Sequence, residues 1–260
     1  MNIIIAMLKK DMRILLKQRQ VLFAMAIVPL VMSVFLPALF TYMFIIDPAS
    51  LDFSEAMLDQ MGVTDGMSAS LAQLTYMIDN VLLGFLLMIP MMSGSILAAS
   101  SFVTEREHKT LESLFYTPLT AHQLLIAKLI TSLIPALVIS WGSCLLTALA
   151  INIPAYLMLG VMPYPTSASW IVIFWLMPII ASFGLSFSTF VSAKSKTFQE
   201  AQQKSSMLVM PFILIVTGSL SGMVTLNATL LLAAGAILLV VEIFILWLIS
   251  KSFTIENLVQ

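Results

Sequence analysis

The sequence predicts an all-α integral membrane protein with six transmembrane helices, an amphipathic amino-terminal helix and both termini in the cytoplasm. Of its 260 residues, 60% are apolar and 10% are charged, and the mean hydropathy is +1.04. Soluble domains contain about 25% charged residues, so a chain this poor in charge needs lipid against much of its surface. The placement of the few basic residues then indicates how many spans there are and how they are oriented.

Six apolar stretches approach or exceed the roughly 20 residues that a helix needs to cross a bilayer. They are residues 21–46, 76–103, 124–153, 167–193, 207–224 and 229–249. All 12 lysines and arginines are assigned to one side of this arrangement: five before span one, three to the loop between spans two and three, three between spans four and five, and one after span six. The three assigned to the loop between spans two and three are Arg106, Lys109 and Lys128, of which Lys128 is at the start of the third apolar stretch. Basic residues mark cytoplasmic loops, so this side is predicted to be cytoplasmic.

A basic amphipathic helix is predicted at residues 1–20, before the first span. Ile4 and Leu8 lie on its apolar face, whereas Lys10 and Arg13 lie on the opposite face. Such a helix lies in the headgroup plane with its cations towards anionic lipid, and the same cations help to fix the topology.

The predicted extracellular loop, residues 47–75, has the opposite charge. It contains Asp47, Asp52, Glu55, Asp59 and Asp65 but no lysine or arginine. This pattern is typical of topology and solubility rather than of a cation site.

The cytoplasmic segment at residues 104–123, between spans two and three, predicts a short helix of its own. Leu111, Leu114 and Phe115 lie at helical spacing and form a small apolar face among charged residues. Pro118 ends this helix. The helix has no core to join, so it either docks into a soluble partner or rests on the membrane surface.

Two capping boxes predict where the helices of spans three and five begin. Thr120 with Gln123 precedes span three, and Thr197 with Glu200 precedes span five. The second box lies in the cytoplasmic loop at residues 194–206, so the helix of span five is predicted to begin in the cytoplasm. Its polar first turn either contacts the same partner or is simply solvated.

Glu242, in the middle of span six, is a candidate functional acid, because a carboxylate there costs about 2.5–3.5 kcal/mol on insertion scales. It either takes part in a proton or cation relay or is a neutral, hydrogen-bonded structural acid. We expect no lysine or arginine within a span to pair with it. A second acid, Asp79, lies near the outer end of span two and can reach water.

Prolines and small residues interrupt several spans. Small residues in span four, at Ser182, Gly184, Ser186 and Ser188, predict a close helix contact, either internal or in a dimer. Each proline frees a backbone carbonyl and can kink its helix. The prolines predicted inside spans are Pro29, Pro37, Pro90, Pro135, Pro178 and Pro211.

The cytoplasmic segment also carries a family signature. It reads Glu105-Arg106-Glu107, then Thr110 to Leu114, then Thr117 to Thr120, and later Lys128, preceded by Ala127. This pattern resembles that of the type-2 ATP-binding-cassette (ABC) transporter permeases, in which a glycine usually precedes the lysine.

The resemblance implies that the chain is the membrane permease of an ATP-driven exporter. A dimer of permeases, identical or related, would form the path and bind separate ATPase subunits that hold ATP and Mg. The cargo would be hydrophobic or amphipathic, such as a drug, a peptide or a lipid. Short re-entrant helices would lie at residues 218–227, between spans five and six. The residues that would couple to the ATPase are Glu105, Glu107, Thr110, Leu111, Glu112, Leu114, Phe115, Tyr116 and Pro118.

The remaining patterns limit other functions. The chain has no Gly-x-x-x-x-Gly-Lys-Ser/Thr loop, so we expect no nucleotide, and no cofactor or metal, on this chain. A net charge of -1 gives no field that would attract nucleic acid. Two alternatives stay open: a sensing or immunity scaffold with an associated ATPase, and an intramembrane enzyme that uses Glu242 and Asp79.

Overall fold

The computed structural model describes residues 9, 23, 27–46, 69–107, 121–192, 195 and 198–252, and this part of the chain is built from helices without a strand. The six helices are α1 at residues 27–46, α2 at residues 69–107, α3 at Ala121–Leu159, α4 at residues 167–192, α5 at residues 198–220 and α6 at Ala228–Ser252. Three of them contain a π-helical segment: Val31–Phe35 in α1, Ile78–Leu82 in α2 and Val172–Leu176 in α4. The helix α5 contains a 3-10 turn at Met207–Val209, between Phe198–Ser206 and Met210–Leu220.

The six predicted spans are confirmed within the described ranges, since all six helices are long and apolar enough to cross a membrane. The helix α2 begins at Ala69, inside the predicted extracellular loop, because the apolar pattern of span two continues into the preceding turns. The helices α3 and α5 begin at Ala121 and Phe198, directly after the predicted capping threonines. Of the predicted amino-terminal helix, only Lys9 is described; it is helical and exposed.

The helix α2 is the most buried helix and packs against α1, α3, α4 and α5, whereas α6 packs against α4. The most apolar window of α2 is 89% buried inside the protein, whereas that of α6 is 17% buried and that of α3 is 33% buried. The apolar faces that α3 and α6 leave uncovered are suited to lipid, because lipid tails solvate them as well as a protein core would.

Small residues allow α2 and α4 to pack closely. A Cβ atom added to Gly94 would lie 2.5 Å from the carbonyl oxygen of Ala181, and one added to Gly184 would lie 2.8 Å from that of Met91. Across the same contact, the Ser188 hydroxyl donates to the carbonyl of Ser95 at 2.9 Å. The small residues of span four therefore make the internal contact that was one of the two predicted possibilities.

The bundle supplies hydrogen-bond donors to backbone carbonyls near two of its prolines. Pro37 has no N–H to offer to the preceding turn, and the Thr147 hydroxyl of α3 donates to the carbonyl of Ser33 at 3.0 Å. In the π-helical turn before Pro178, the carbonyl of Ile173 likewise receives no N–H from the proline, and Trp141 Nε1 of α3 donates to it at 3.1 Å. The side chains of α3 thus donate to carbonyls within the π-helical segments of α1 and α4.

The link between α5 and α6 differs from what the family resemblance implies. The helix α5 ends at Leu220, Gly222 turns the chain with a φ of 73°, and α6 begins at Ala228. The N–H of Met223 donates to the carbonyl of Gly218 at 2.9 Å, which closes the end of α5. The expected re-entrant helices at residues 218–227 are therefore wrong for this chain, because only a short non-helical link remains after the turn.

The expectation that no basic residue lies within a span is also wrong. Lys128 lies inside the membrane-spanning part of α3 and is 1% exposed. Because α3 begins at Ala121, Lys128 lies two turns into the helix rather than in the loop before it. Its long aliphatic stem allows such a residue near a helix end to be covered by its neighbours.

Candidate functional site

The predicted coupling residues lie at and beyond the end of the central helix. Glu105 and Glu107 belong to the last turns of α2, which ends at Glu107. The rest of the predicted set lies outside the described residues, so its role stays a prediction. These residues are Thr110, Leu111, Glu112, Leu114, Phe115, Tyr116 and Pro118.

Glu242 lies on the inner half of α6, where "inner" denotes the end predicted to be cytoplasmic. It is 9% exposed, and its side chain has the hydroxyl of Ser182 on α4 as a hydrogen-bond partner. Ser182 itself donates to the carbonyl of Ile179 at 3.1 Å. Ser182 therefore lies between the backbone of α4 and the carboxyl group of Glu242.

A cavity of about 380 Å³ opens beside Glu242, and we call it the inner cavity. It lies between α3, α4 and α6. The helix α3 lines it with one face, because its four lining residues follow the i, i+3, i+4, i+7 pattern of one helix face. The lining includes Ile126, Leu129, Ile130 and Leu133 of α3, Ser182 and Ser186 of α4, and Glu242 of α6.

Asp79 has a different environment at the outer end of α2. The hydroxyl of Thr166 donates a hydrogen bond to its carboxylate. Thr166 is also the N-cap of α4: its hydroxyl accepts from the N–H of Ser169, and its N–H donates to the Ser169 hydroxyl, each at 3.2 Å. Asp79 therefore lies at the start of a helix, where the backbone dipole favours a negative charge.

The neighbouring Asn80 joins α2 to the link between α5 and α6. Its Oδ1 accepts from the N–H of Leu226 at 2.8 Å, and its Nδ2 donates to the carbonyl of Tyr76 at 3.1 Å. Both groups are buried, so each hydrogen bond satisfies an atom that water cannot reach. We call Asp79, Asn80, Thr166 and Leu226 the outer site; a cavity of about 360 Å³ adjoins it.

The link before Thr166 is fixed by Asn152 of α3. The Nδ2 of Asn152 donates to the carbonyl of Tyr164 at 2.6 Å, and its Oδ1 accepts from the N–H of Tyr164 at 3.1 Å. Burial raises the pKa of the Tyr164 phenol above its ordinary value, so the phenol stays neutral at physiological pH. The link therefore holds Thr166 against Asp79 by hydrogen bonds to the backbone.

The two acids do not form one site. Ala228 lines the outer cavity, and Glu242 lies fourteen residues further along α6. At 1.5 Å per residue, Ala228 and the outer cavity beside it lie about 21 Å from Glu242 along the axis of α6. The intramembrane enzyme that would use both acids together therefore has no shared centre in the described part of the chain.

Sequence reasoning missed most of the outer site. The adjacent pair Asp79-Asn80 inside an apolar stretch, and Thr166 three residues before Ser169, were the available signals. The contact between Ser182 and Glu242 had no such signal, because the two residues lie on different helices.

Comparison with known proteins gives one match. A family model described as ABC-2 type transporter matches residues 3–225. The match includes the predicted coupling segment and ends before α6, so it contains Asp79 but not Glu242. Neither a curated protein nor a solved structure matches the chain.

Proposed function

Since the chain belongs to the ABC-2 type transporter family and is a permease subunit, we propose that it forms the translocation path of an ATP-driven exporter. Two copies, or one copy and a related chain, assemble in the cell membrane, and separate ATPase subunits bind ATP and Mg. The observation that carries the proposal is the family match over residues 3–225, which contains the first five helices and the predicted coupling segment. The assignment of all lysines and arginines to one side of the membrane supports cytoplasmic termini.

In this proposal the segment between α2 and α3 receives the movement of the ATPase. Leu111, Leu114 and Phe115 form the apolar face that fits a groove in that subunit, and the surrounding charges orient it. The position of α2 supports the proposal: it ends at Glu107, inside the predicted segment at residues 104–123, and packs closely on α4 through Gly94. A movement applied there displaces α2 and α4 together, because the interior of a protein is too densely packed to absorb it.

The cargo is proposed to be hydrophobic or amphipathic. Apolar residues predominate in the inner cavity, and α3 and α6 leave large apolar faces uncovered. Such surfaces exchange readily with lipid-soluble molecules and have few groups that could replace the hydration shell of a small polar solute.

The coupling proposal is tested by charge substitution on the predicted apolar face. Leu114→Arg and Phe115→Asp are each expected to abolish co-purification of the ATPase with the tagged permease, because a charge cannot be desolvated in an apolar groove. Leu58→Arg and Phe53→Asp in the predicted extracellular loop are the matched controls, and both should retain the ATPase. All four variants should reach the membrane in equal amounts. If the ATPase still co-purifies with both Leu114→Arg and Phe115→Asp, the coupling assignment is wrong.

A further inference from the structure

The inner cavity combines a buried acid with apolar walls. Its polar groups are Glu242 and the hydroxyls of Ser182 and Ser186, and its other walls are hydrocarbon. Its volume of about 380 Å³ lies within the roughly 300–1,000 Å³ that is usual for small-molecule sites. The space is therefore large enough for an organic molecule and has one strongly polar point to orient it.

The lining of the cavity contains an acidic residue but no basic residue. Lys128, although buried on α3, does not line it. An ionised carboxylate at membrane depth needs a cation beside it, because the surrounding medium screens charge poorly. A ligand that carries one positive charge would provide that cation, and the pair would be neutral within the hydrocarbon.

Part of the cavity wall is exposed on the outside of the bundle, within the membrane-spanning part of α3. Ile126 and Ile130 on this wall are each 43% exposed, and an apolar surface at this depth is suited to lipid. Glu242 lies seven residues, or about 10 Å, before the inner end of the span at Ile249. A ligand that reaches the carboxyl by this route must first dissolve in the bilayer.

From these observations we propose that the inner cavity binds a lipophilic organic cation: a monovalent ammonium or phosphonium group on an apolar body, with the cationic centre beside Glu242. One carboxyl neutralises one charge, so dications are disfavoured. The walls of α3 enclose the apolar body, and Ser182 and Ser186 face the cationic end. The view that this ligand is cargo rests on the proposed function; its binding to the isolated permease does not.

Equilibrium dialysis of the purified full-length permease against radiolabelled tetraphenylphosphonium tests the site. This probe is cationic at every pH, so only the protein's charge changes between variants. Glu242→Gln is expected to weaken binding at least tenfold, whereas Glu242→Asp, which keeps the charge, should stay within about threefold of the unmodified chain. Asp79→Asn is the matched control: it removes the acid of the outer cavity, whose lining residue Ala228 lies about 21 Å from Glu242 along the axis of α6, and it should leave binding unchanged.

A second variant separates occupation of the cavity from charge. Ser186→Trp keeps Glu242 but fills the cavity, and it too should weaken binding at least tenfold. Neutral tetraphenylsilane should compete much more weakly than unlabelled tetraphenylphosphonium. The proposal is overturned if the unmodified chain does not bind the cation, if Glu242→Gln binds it equally well, or if Asp79→Asn loses as much affinity. Loss of the ATPase leaves this measurement unaffected, so failure of the coupling proposal is seen separately.

Discussion

The outer site and the inner cavity each contain one acid within the membrane-spanning helices, but their surroundings differ. At the outer site, Asp79 accepts a hydrogen bond from the helix-capping Thr166, and Asn80 beside it holds the N–H of Leu226. At the inner cavity, Glu242 has one neutral hydroxyl partner, Ser182, and faces open space between apolar walls.

This difference separates a structural acid from an available one. The outer acid joins the start of α4 to α2, and its charge is supported by a helix dipole and a hydroxyl donor. Among the described residues, no backbone group is hydrogen-bonded to Glu242, so little of the described fold depends on its charge. Substitutions at the outer site should therefore mainly lower stability, whereas substitutions at the inner cavity should mainly weaken ligand binding.

The largest effect on stability is expected at the close contact of α2 and α4 at Gly94. Gly94→Ala places a methyl group 2.5 Å from the carbonyl oxygen of Ala181, so the helices must separate. We expect a loss of about 3 kcal/mol in the free energy of unfolding, measured in mixed micelles. Gly142→Ala on α3 is the matched control, since its added methyl meets no atom within 4 Å. It should leave stability unchanged or raise it by about 0.5–1 kcal/mol. Equal effects of the two substitutions would contradict the close contact.

An intermediate effect is expected at the outer site itself. Asn80→Ala leaves the buried N–H of Leu226 without its acceptor, which should cost about 1–3 kcal/mol of unfolding free energy. Ser167→Ala alters an exposed residue that lines the same cavity and should stay within about 0.5 kcal/mol. Amide hydrogen exchange at Leu226 measures the local effect directly. Unchanged protection of that amide in Asn80→Ala would show that the bond does not hold the link.

The smallest effect, and the sharpest comparison, comes from neutralising each acid with its isosteric amide. Asp79→Asn exchanges a charged acceptor for a neutral one at Thr166 and should lower the free energy of unfolding by about 1 kcal/mol. Glu242→Gln keeps a polar partner for Ser182 and removes the cost of burying an acid, so the change should be below about 0.5 kcal/mol. Thermal unfolding of the two variants in the same detergent gives the comparison. If Glu242→Gln is the more destabilising, Glu242 is a structural residue and the contrast fails.

Much of the fold followed from local sequence patterns. Six apolar stretches predicted six spans, and capping boxes predicted the first turns of α3 and α5, because helix length and capping depend on neighbouring residues alone. The errors arose where a loop was placed from general rules or from the family. Lys128 was assigned to a loop but lies inside α3, and the expected re-entrant helices are replaced by the turn at Gly222.

Some residues of the candidate sites could likewise be found from local sequence patterns, and others could not. Glu242 was a candidate from the sequence because a lone acid in an apolar stretch is conspicuous, and the coupling segment stays a prediction that rests on its motif. Its partner Ser182 was identified only as a small packing residue, and Asn80 and Thr166 were not identified. Each of these depends on a contact between helices that are distant in sequence, and no local pattern determines the rotation of one helix against another.

The sequence by itself therefore determined that the chain enters the membrane, how often it crosses and which family signature it carries. Apolar length, charge placement and motif spacing are properties of single segments, and the bilayer acts on each segment separately. Only the tertiary structure decided that Asp79 is bound to the cap of α4 and that Glu242 faces a cavity. Packing fixes both outcomes, because the close approach of α2 and α4 at Gly94 and Gly184 determines which side chains meet and where space is left.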